Sequence, residues 1–234
     1  MAAVITRPTS DFSDFTGRFQ GIESVDIRPR VSGYIQRVVF KEGSQVAKGD
    51  VLFIIDPRQY QDDVARAEAD VARARTRLQL AASETQRAKR LVDVQAISRE
   101  EYDTRSSSEA DGTAQLSAAA AALRTAQMNL AWTVVRSPIA GRVGRAEQTA
   151  GNLVQGGPTA SLLTTVVSLD PIYVYFDTDE QTYLRYAGLA RTAHATAHVG
   201  LADEQGFPHE ATLNFVDNRM DSTSGTISVR AVLP

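Results

Sequence analysis

Two long stripes of small and apolar residues, each keeping a seven-residue period, constrain this chain more than any other feature. Tyr60, Val64, Ala67, Val71, Ala74, Leu78, Ala81, Thr85, Ala88 and Val92 recur at spacings that alternate between four and three. That is the a/d seam of a helix packed along another helix. Counting back from Leu130, a second stripe runs through Ala126, Leu123, Ala119, Leu116 and Gly112. It continues through Glu109 and Arg105 to Tyr102, so this seam turns polar toward its N-terminal end. Each segment is about 35 residues, roughly 50 Å at a rise of 1.5 Å per residue. Two equal helices with a short link predict an antiparallel coiled-coil hairpin. The many alanines in the seam predict close helix approach and little buried area per turn.

The link is also legible. Ser98-Arg-Glu-Glu101 reads as a capping box, in which the Ser98 hydroxyl accepts from the Glu101 N–H and the Glu101 carboxylate reaches back to the Ser98 N–H. Glu100, Glu101 and Asp103 suit the positive end of a helix dipole. The second helix is therefore expected to start near Arg99, with the tip around 92–97. Asp56-Pro57 is expected to start the first helix, with Pro57 at an early helical position where its missing N–H costs nothing.

The segments flanking the hairpin resemble each other. Val31-Ser-Gly-Tyr-Ile35 precedes it and Ile139-Ala-Gly-Arg-Val143 follows. Ten residues after Gly33 and Gly141 stand Gly43 and Gly151, then Val46 matches Val154, and Gly49 matches Gly157. Apolar β runs close both copies, Val51–Ile55 in one and Leu162–Val167 in the other. Glycines at matching offsets imply matching turns or close strand approaches. Two copies of one small β unit, neither able to close a core alone, are expected to pack together.

After Asp170-Pro171 a second β region begins. Ile172–Phe176 reads as a β-branched and aromatic strand. Asp177 or Thr178 is expected to cap a short helix bearing Tyr183, Leu184, Tyr186 and Ala187. Strands are expected near 193–201 and 208–217, with a turn at 203–208, and Phe12–Glu23 as a further strand. Thr226–Leu233 alternates like a strand and stops at Pro234, which predicts a chain cut within this β region. No window approaches the ~18 apolar residues of a membrane span. The first residues show no basic segment followed by an apolar core, so the expectation is a cytosolic protein, or an exported one without its signal.

These stretches together resemble the periplasmic adaptors, or membrane fusion proteins, of resistance-nodulation-division (RND) tripartite efflux pumps. The resemblance rests on Ile27-Arg-Pro-Arg-Val-Ser-Gly-Tyr-Ile35, Glu42-Gly-Ser-Gln-Val-Ala-Lys-Gly-Asp-Val-Leu52 and Val135-Arg-Ser-Pro-Ile-Ala-Gly-Arg-Val143. It extends to Phe215-Val-Asp-Asn218 and Ser224–Ala231, and to the family's Arg-x3-Leu-x6-Ser tip pattern, here Arg87, Leu91 and Ser98. It implies an α+β multidomain fold. A split lipoyl-like β-sandwich domain (24–56 with 133–169) would surround the α-helical coiled-coil hairpin (57–132). A partial β-barrel domain (10–23 with 170–234) would follow, with the membrane-proximal domain largely absent.

The resemblance further implies a non-catalytic adaptor without cofactor, associated with the inner membrane on the periplasmic side. It would link an inner-membrane RND transporter to a TolC-like outer-membrane channel for drug efflux, as a homo-oligomer of six in the assembled pump. Arg87, Leu91 and Ser98 would touch the channel. Gly33, Gly43, Gly49, Gly141, Gly151 and Gly157 would shape the lipoyl repeat. An adaptor for an ABC or major-facilitator exporter is the alternative within the family.

Other classes fit the residues less well. A lipoyl or biotinyl carrier presents a modified lysine on the turn where the hairpin stands here, and Asp56-Pro57-Arg58 offers none. Lys41 and Lys48 sit on other turns of the repeat and read as solvated. There is no cysteine, which excludes thiol chemistry, disulfides and Cys-ligated zinc, and only three histidines remain. Of these, His194 and His198 stand at i, i+4, but the residues between supply no Glu, and no third ligand or Ser/His/Asp set accompanies them. The glycines at 151–157 lack the Gly-Lys-Ser/Thr of a phosphate loop. The net charge of −3 gives no case for nucleic acid.

Overall fold

The structure, a computed structural model, describes residues 12–190 and 196–234. In chain order the elements are β1 (Gly17–Gly21), β2 (Ser24–Ile27), β3 (Gly33–Val38), β4 (Gln45–Val46), β5 (Val51–Ile55), α1 (Arg58–Asp93) and α2 (Arg99–Trp132). There follow β6 (Val134–Arg136), β7 (Gly141–Val143), β8 (Leu153–Val154), β9 (Thr164–Val167), β10 (Ile172–Asp179), α3 (Glu180–Ala190), β11 (Thr196–Val199), β12 (His209–Asp221) and β13 (Thr226–Leu233). The described residues form two compact units, one built from 12–25 with 139–142, 166–190 and 196–234, the other from 26–138 with 143–165. No described helix is long and apolar enough to cross a membrane.

Two four-stranded sheets, β6-β5-β3-β8 and β2-β9-β7-β4, carry the sequence repeat. The pairing is exchanged between the copies. The Gly43 N–H donates to the Val143 carbonyl at 3.0 Å, and the equivalent Gly151 N–H donates to the Ile35 carbonyl at 2.8 Å. The return bonds match as well: Val143 N–H to the Ser44 carbonyl, and Ile35 N–H to the Asn152 carbonyl. Each copy therefore completes the other's backbone bonding, which an unpaired half would leave orphaned. Ile35, Leu52, Phe53, Ile55, Val143, Val154 and Leu163 are fully buried in this core, and Phe40 meets Phe53 edge-on at 5.3 Å.

The helices interrupt this repeat. Every residue of the Tyr60–Val92 stripe and of the Tyr102–Leu130 stripe is buried or half-buried, while most of their neighbours are exposed. The two helices run antiparallel: the Arg105 guanidinium lies 3.0 Å from the Glu84 carboxylate, and Gly112 faces Leu78. A Cβ on Gly112 would stand 3.3 Å from the Leu78 Cα, so the backbones approach closely where the seam has no side chain. Pro57 occupies the N-cap of α1 rather than its first turn, with φ −86°. The Asp56 carboxylate accepts from the Arg58 N–H at 3.1 Å and pairs with the same residue's guanidinium, which holds the Asp56 carboxyl down to about 2.

The unit that holds residues 166–234 contains a five-stranded antiparallel sheet of order β1-β10-β13-β12-β11. Ile227, Val229 and Ala231 alternate inward along β13. β10 runs three residues past the expected Phe176, because Asp177, Thr178 and Asp179 pair with Ser228, Ile227 and Thr226. The helix cap accordingly moves from the expected Asp177 or Thr178 to Asp179, whose carboxylate accepts from the Thr182 N–H at 3.2 Å. Thr178 is buried in the sheet. β12 reaches Asp221, beyond the expected end at 217, with irregular register between Leu213 and Phe215 and between Val216 and Met220. On the outer face the Arg230 guanidinium lies 4.2 Å from the Tyr173 ring centre and 5.0 Å from that of Phe215. It also donates to the Asn214 side chain at 3.0 Å. The expected strand start at 193–195, the residue His194 and the side chains of Tyr186 and Ala187 lie outside what is described, as do residues 10 and 11 of the expected barrel segment.

Candidate functional site

The link between α1 and α2 is a tight, hydrogen-bonded turn. The Gln95 and Ala96 N–H groups donate to the Val92 and Leu91 carbonyls at 2.9 and 2.8 Å, which satisfies carbonyls that the end of a helix leaves free. Gln95 takes a left-handed φ of 58° to close it. Ser98 is extended, with φ −74° and ψ 156°, and caps α2: its hydroxyl accepts from the Glu101 N–H at 3.1 Å. The Glu101 carboxylate does not return to the Ser98 N–H as a full capping box would. It faces Arg105 at 3.7 Å, where a guanidinium is the stronger partner.

Of the residues singled out from the sequence, Arg87 and Leu91 lie one turn apart on one face of α1. Both are exposed, Leu91 by 44%. Ser98, also exposed, stands across the turn at the start of α2. Sequence reasoning passed over Val94, whose side chain is 70% exposed in the turn itself. An apolar residue two places off the seam was the available signal. Just below the tip, Thr85 is 9% exposed, and its hydroxyl lies 3.0 Å from both the Ala81 and the Arg105 carbonyl oxygens. That polar layer, with the Glu84–Arg105 pair, bridges the two helices where the seam loses apolar side chains. The chemistry on offer is a hydrogen-bonded turn carrying exposed apolar groups, a cation and a hydroxyl.

The opposite end of the two helices is anchored on the β scaffold. The Tyr60 hydroxyl donates to the Ser32 carbonyl at 2.7 Å, and the Arg30 guanidinium sits 5.4 Å from the Trp132 ring centre. Among the glycines of the repeat, Gly49 and Gly157 share a left-handed backbone, φ 95° and 93°, so a side chain at either would be strained. Gly43 and Gly151 donate the exchanged bonds described above. At Gly33 a Cβ would stand 2.7 Å from the Ile55 side chain, and at Gly141 it would run into the Val167 carbonyl. His198 is an exposed residue of β11 opposite Glu210. His209 pairs with the Glu204 carboxylate at 2.9 Å, and Glu204 is held below its usual range by the Leu201 N–H and by His209. Among the described residues no His, Asp and Glu cluster could hold a metal ion.

Known proteins share this arrangement. The multidrug efflux pump subunit AcrA of Escherichia coli K12 is 37% identical over 241 residues, a match covering all of this chain and 60% of AcrA. The antibiotic efflux pump periplasmic linker protein ArpA of Pseudomonas putida is 36% identical over 95% of this chain and 58% of its own length. The chain thus spans about 60% of the length of the curated relatives it matches. The crystal structure of a MacA-MexA chimera, carrying the Pseudomonas aeruginosa MexA α-hairpin domain, superposes with a TM-score of 0.65 and 26% identity. That match covers 93% of this chain and 70% of the chimera. Residues 23–166, the interleaved β repeat with its two inserted helices, match the barrel-sandwich hybrid domain of RND membrane fusion proteins, and the chain belongs to that family of periplasmic adaptors.

Proposed function

We propose that this protein is the periplasmic adaptor of a tripartite drug-efflux pump, joining an inner-membrane RND transporter to a TolC-like outer-membrane channel. The observation that carries the reading is the capped turn at the end of two helices of 36 and 34 residues. At 1.5 Å per residue such helices hold that turn roughly 50 Å from their roots, a reach that a compact β protein has no structural need for. In this reading α1 and α2 form a coiled-coil hairpin arm, with Arg87, Leu91 and Ser98 meeting the channel. The interleaved sheets are the lipoyl-like domain at 24–56 with 133–169, and the five-stranded sheet is part of a β-barrel domain. These β modules pack side by side in a homo-oligomer of six, on the periplasmic side of the inner membrane and without catalysis of their own. Placing Arg87→Asp or Ser98→Arg at the native locus tests the tip. Loss of drug efflux at unchanged protein level is expected, and unchanged drug susceptibility would refute the assignment.

A further inference from the structure

The outer face of the five-stranded sheet holds a row of arginine and aromatic side chains. Arg18 of β1 pairs with Tyr175 of β10, Tyr175 with Arg230 of β13, and Arg230 with Phe215 of β12. Residues paired across strands share a face, so these four form one row, with Tyr173 two places along β10 on the same side. Beside the row the register of β12 shifts, and Asn214 is the extra residue between Leu213 and Phe215. Such a bulge re-aims side chains. Here the Asn214 side chain accepts from the Arg230 Nε–H at 3.0 Å, while the guanidinium lies 4.2, 5.0 and 6.0 Å from the ring centres of Tyr173, Phe215 and Tyr175. The rings and the one bond hold the guanidinium in place. They leave its four Nη hydrogens without a protein acceptor among the described residues. Arg18 is exposed and has no hydrogen bond or ion pair there either. Asp177, next along β10 on this face, pairs with neither, whereas Arg73, Arg105 and Arg145 each meet a carboxylate.

We infer that this face binds an acidic peptide segment of a partner protein, one carboxylate lying across the free Nη edge of Arg230 and a second reaching Arg18. Charge complementarity selects the occupant. A guanidinium held flat presents parallel N–H donors that match the two oxygens of a carboxylate, and the match costs little further ordering because the rings already fix its plane. Tyr173, Tyr175 and Phe215 supply apolar area for the methylenes of a glutamate or its neighbours, and tyrosine, phenylalanine and arginine together are the composition of a binding hot spot. An anionic lipid surface fits the face less well. Strands β1, β10, β12 and β13 hold more carboxylates than arginines and no lysine, so the sheet lacks the broad positive field that draws a protein to such a surface. The attraction is local to two guanidinium groups. The site lies on the sheet, apart from the helical tip, and stands whether or not the tip meets a channel.

Fluorescein-labelled hexaglutamate, titrated into the full-length protein at low ionic strength and followed by anisotropy, tests the site. Saturable binding is expected, with none for hexaglutamine. Arg230→Gln is expected to weaken it about tenfold, the loss of one charge-assisted bidentate contact. Arg18→Ala removes an exposed side chain that touches nothing in the fold, so its several-fold loss reads binding alone. Phe215→Ala keeps both charges and removes one ring from the frame; binding should weaken several-fold with the circular dichroism spectrum unchanged. Arg124→Ala, at an exposed arginine of α2, should leave binding as it was. No binding, an equal loss in Arg124→Ala, or full binding in both Arg18→Ala and Phe215→Ala would overturn the inference. Tighter association with phosphatidylglycerol vesicles than with hexaglutamate, lost in the same variants, would overturn it in favour of a lipid. Efflux is not the readout, so failure here is distinct from failure of the tip assignment.

Discussion

Ser98 has two possible roles, and its cap can be separated from any contact it makes. Its hydroxyl satisfies the Glu101 N–H, one of the free donors of the first turn of α2. The site is exposed, so water replaces the lost partner in Ser98→Ala, and the cost is about 1 kcal/mol, near the middle of the range for cap removal. That energy is confined to the tip and corresponds to roughly fivefold more frequent opening of the first turn of α2. Hydrogen exchange of the amides of Glu101–Thr104, read by mass spectrometry, should quicken by about that factor in Ser98→Ala. Ser98→Asp keeps an acceptor at the N-cap and adds a charge that the helix dipole favours, so exchange should stay near the parent rate. Unchanged exchange in Ser98→Ala would refute the capping argument. Loss of efflux in Ser98→Asp with exchange unchanged would assign Ser98 a contact beyond its cap.

Two further expectations test the scaffold and its junction with α1. Phe53→Ala removes a fully buried ring and its edge-on contact with Phe40; urea unfolding should show a loss of about 4 kcal/mol in the β-repeat transition. The carboxyl of Asp56 is held at about 2 against an ordinary 3.8, chiefly by hydrogen bonds from Arg58. Its folded value is depressed, so its contribution is complete above the ordinary value and is lost as pH falls through about 2. In Arg58→Ala the Asp56 carboxyl titration, followed by NMR, should move up toward 3.8; an unmoved midpoint would refute the pairing.

Much of the helical arm was legible because its signals are local. The four-three spacing identified the buried face of both helices residue by residue, from Tyr60 to Val92 and from Tyr102 to Leu130. Ser98 was legible as a cap because capping depends on one side chain and a backbone N–H three residues away. One error fell where partners distant in sequence decide. Phe176 was read as the end of its strand, but pairing with Thr226–Ser228 carries β10 to Asp179 and takes Thr178 into the sheet. The Glu101 carboxylate was assigned to Ser98 and is drawn to Arg105, beside the Glu84 of the other helix. Val94 went unremarked because exposure in a turn has no period.

Taken alone, the sequence determined which segments are helical, which face of each is buried, where the turn falls, and that one β unit occurs twice. These follow from side-chain periodicity and from the backbone freedom of single residues, both properties of a few neighbouring positions. Only the tertiary structure decided that Gly43 bonds Val143 while Gly151 bonds Ile35, so that the two copies exchange strands rather than fold separately. It likewise decided that Gly112 faces Leu78, which sets the relative heights of the two helices. Such choices compare pairings between residues far apart in the chain, and their energies arise only once the strands and helices have been brought into contact.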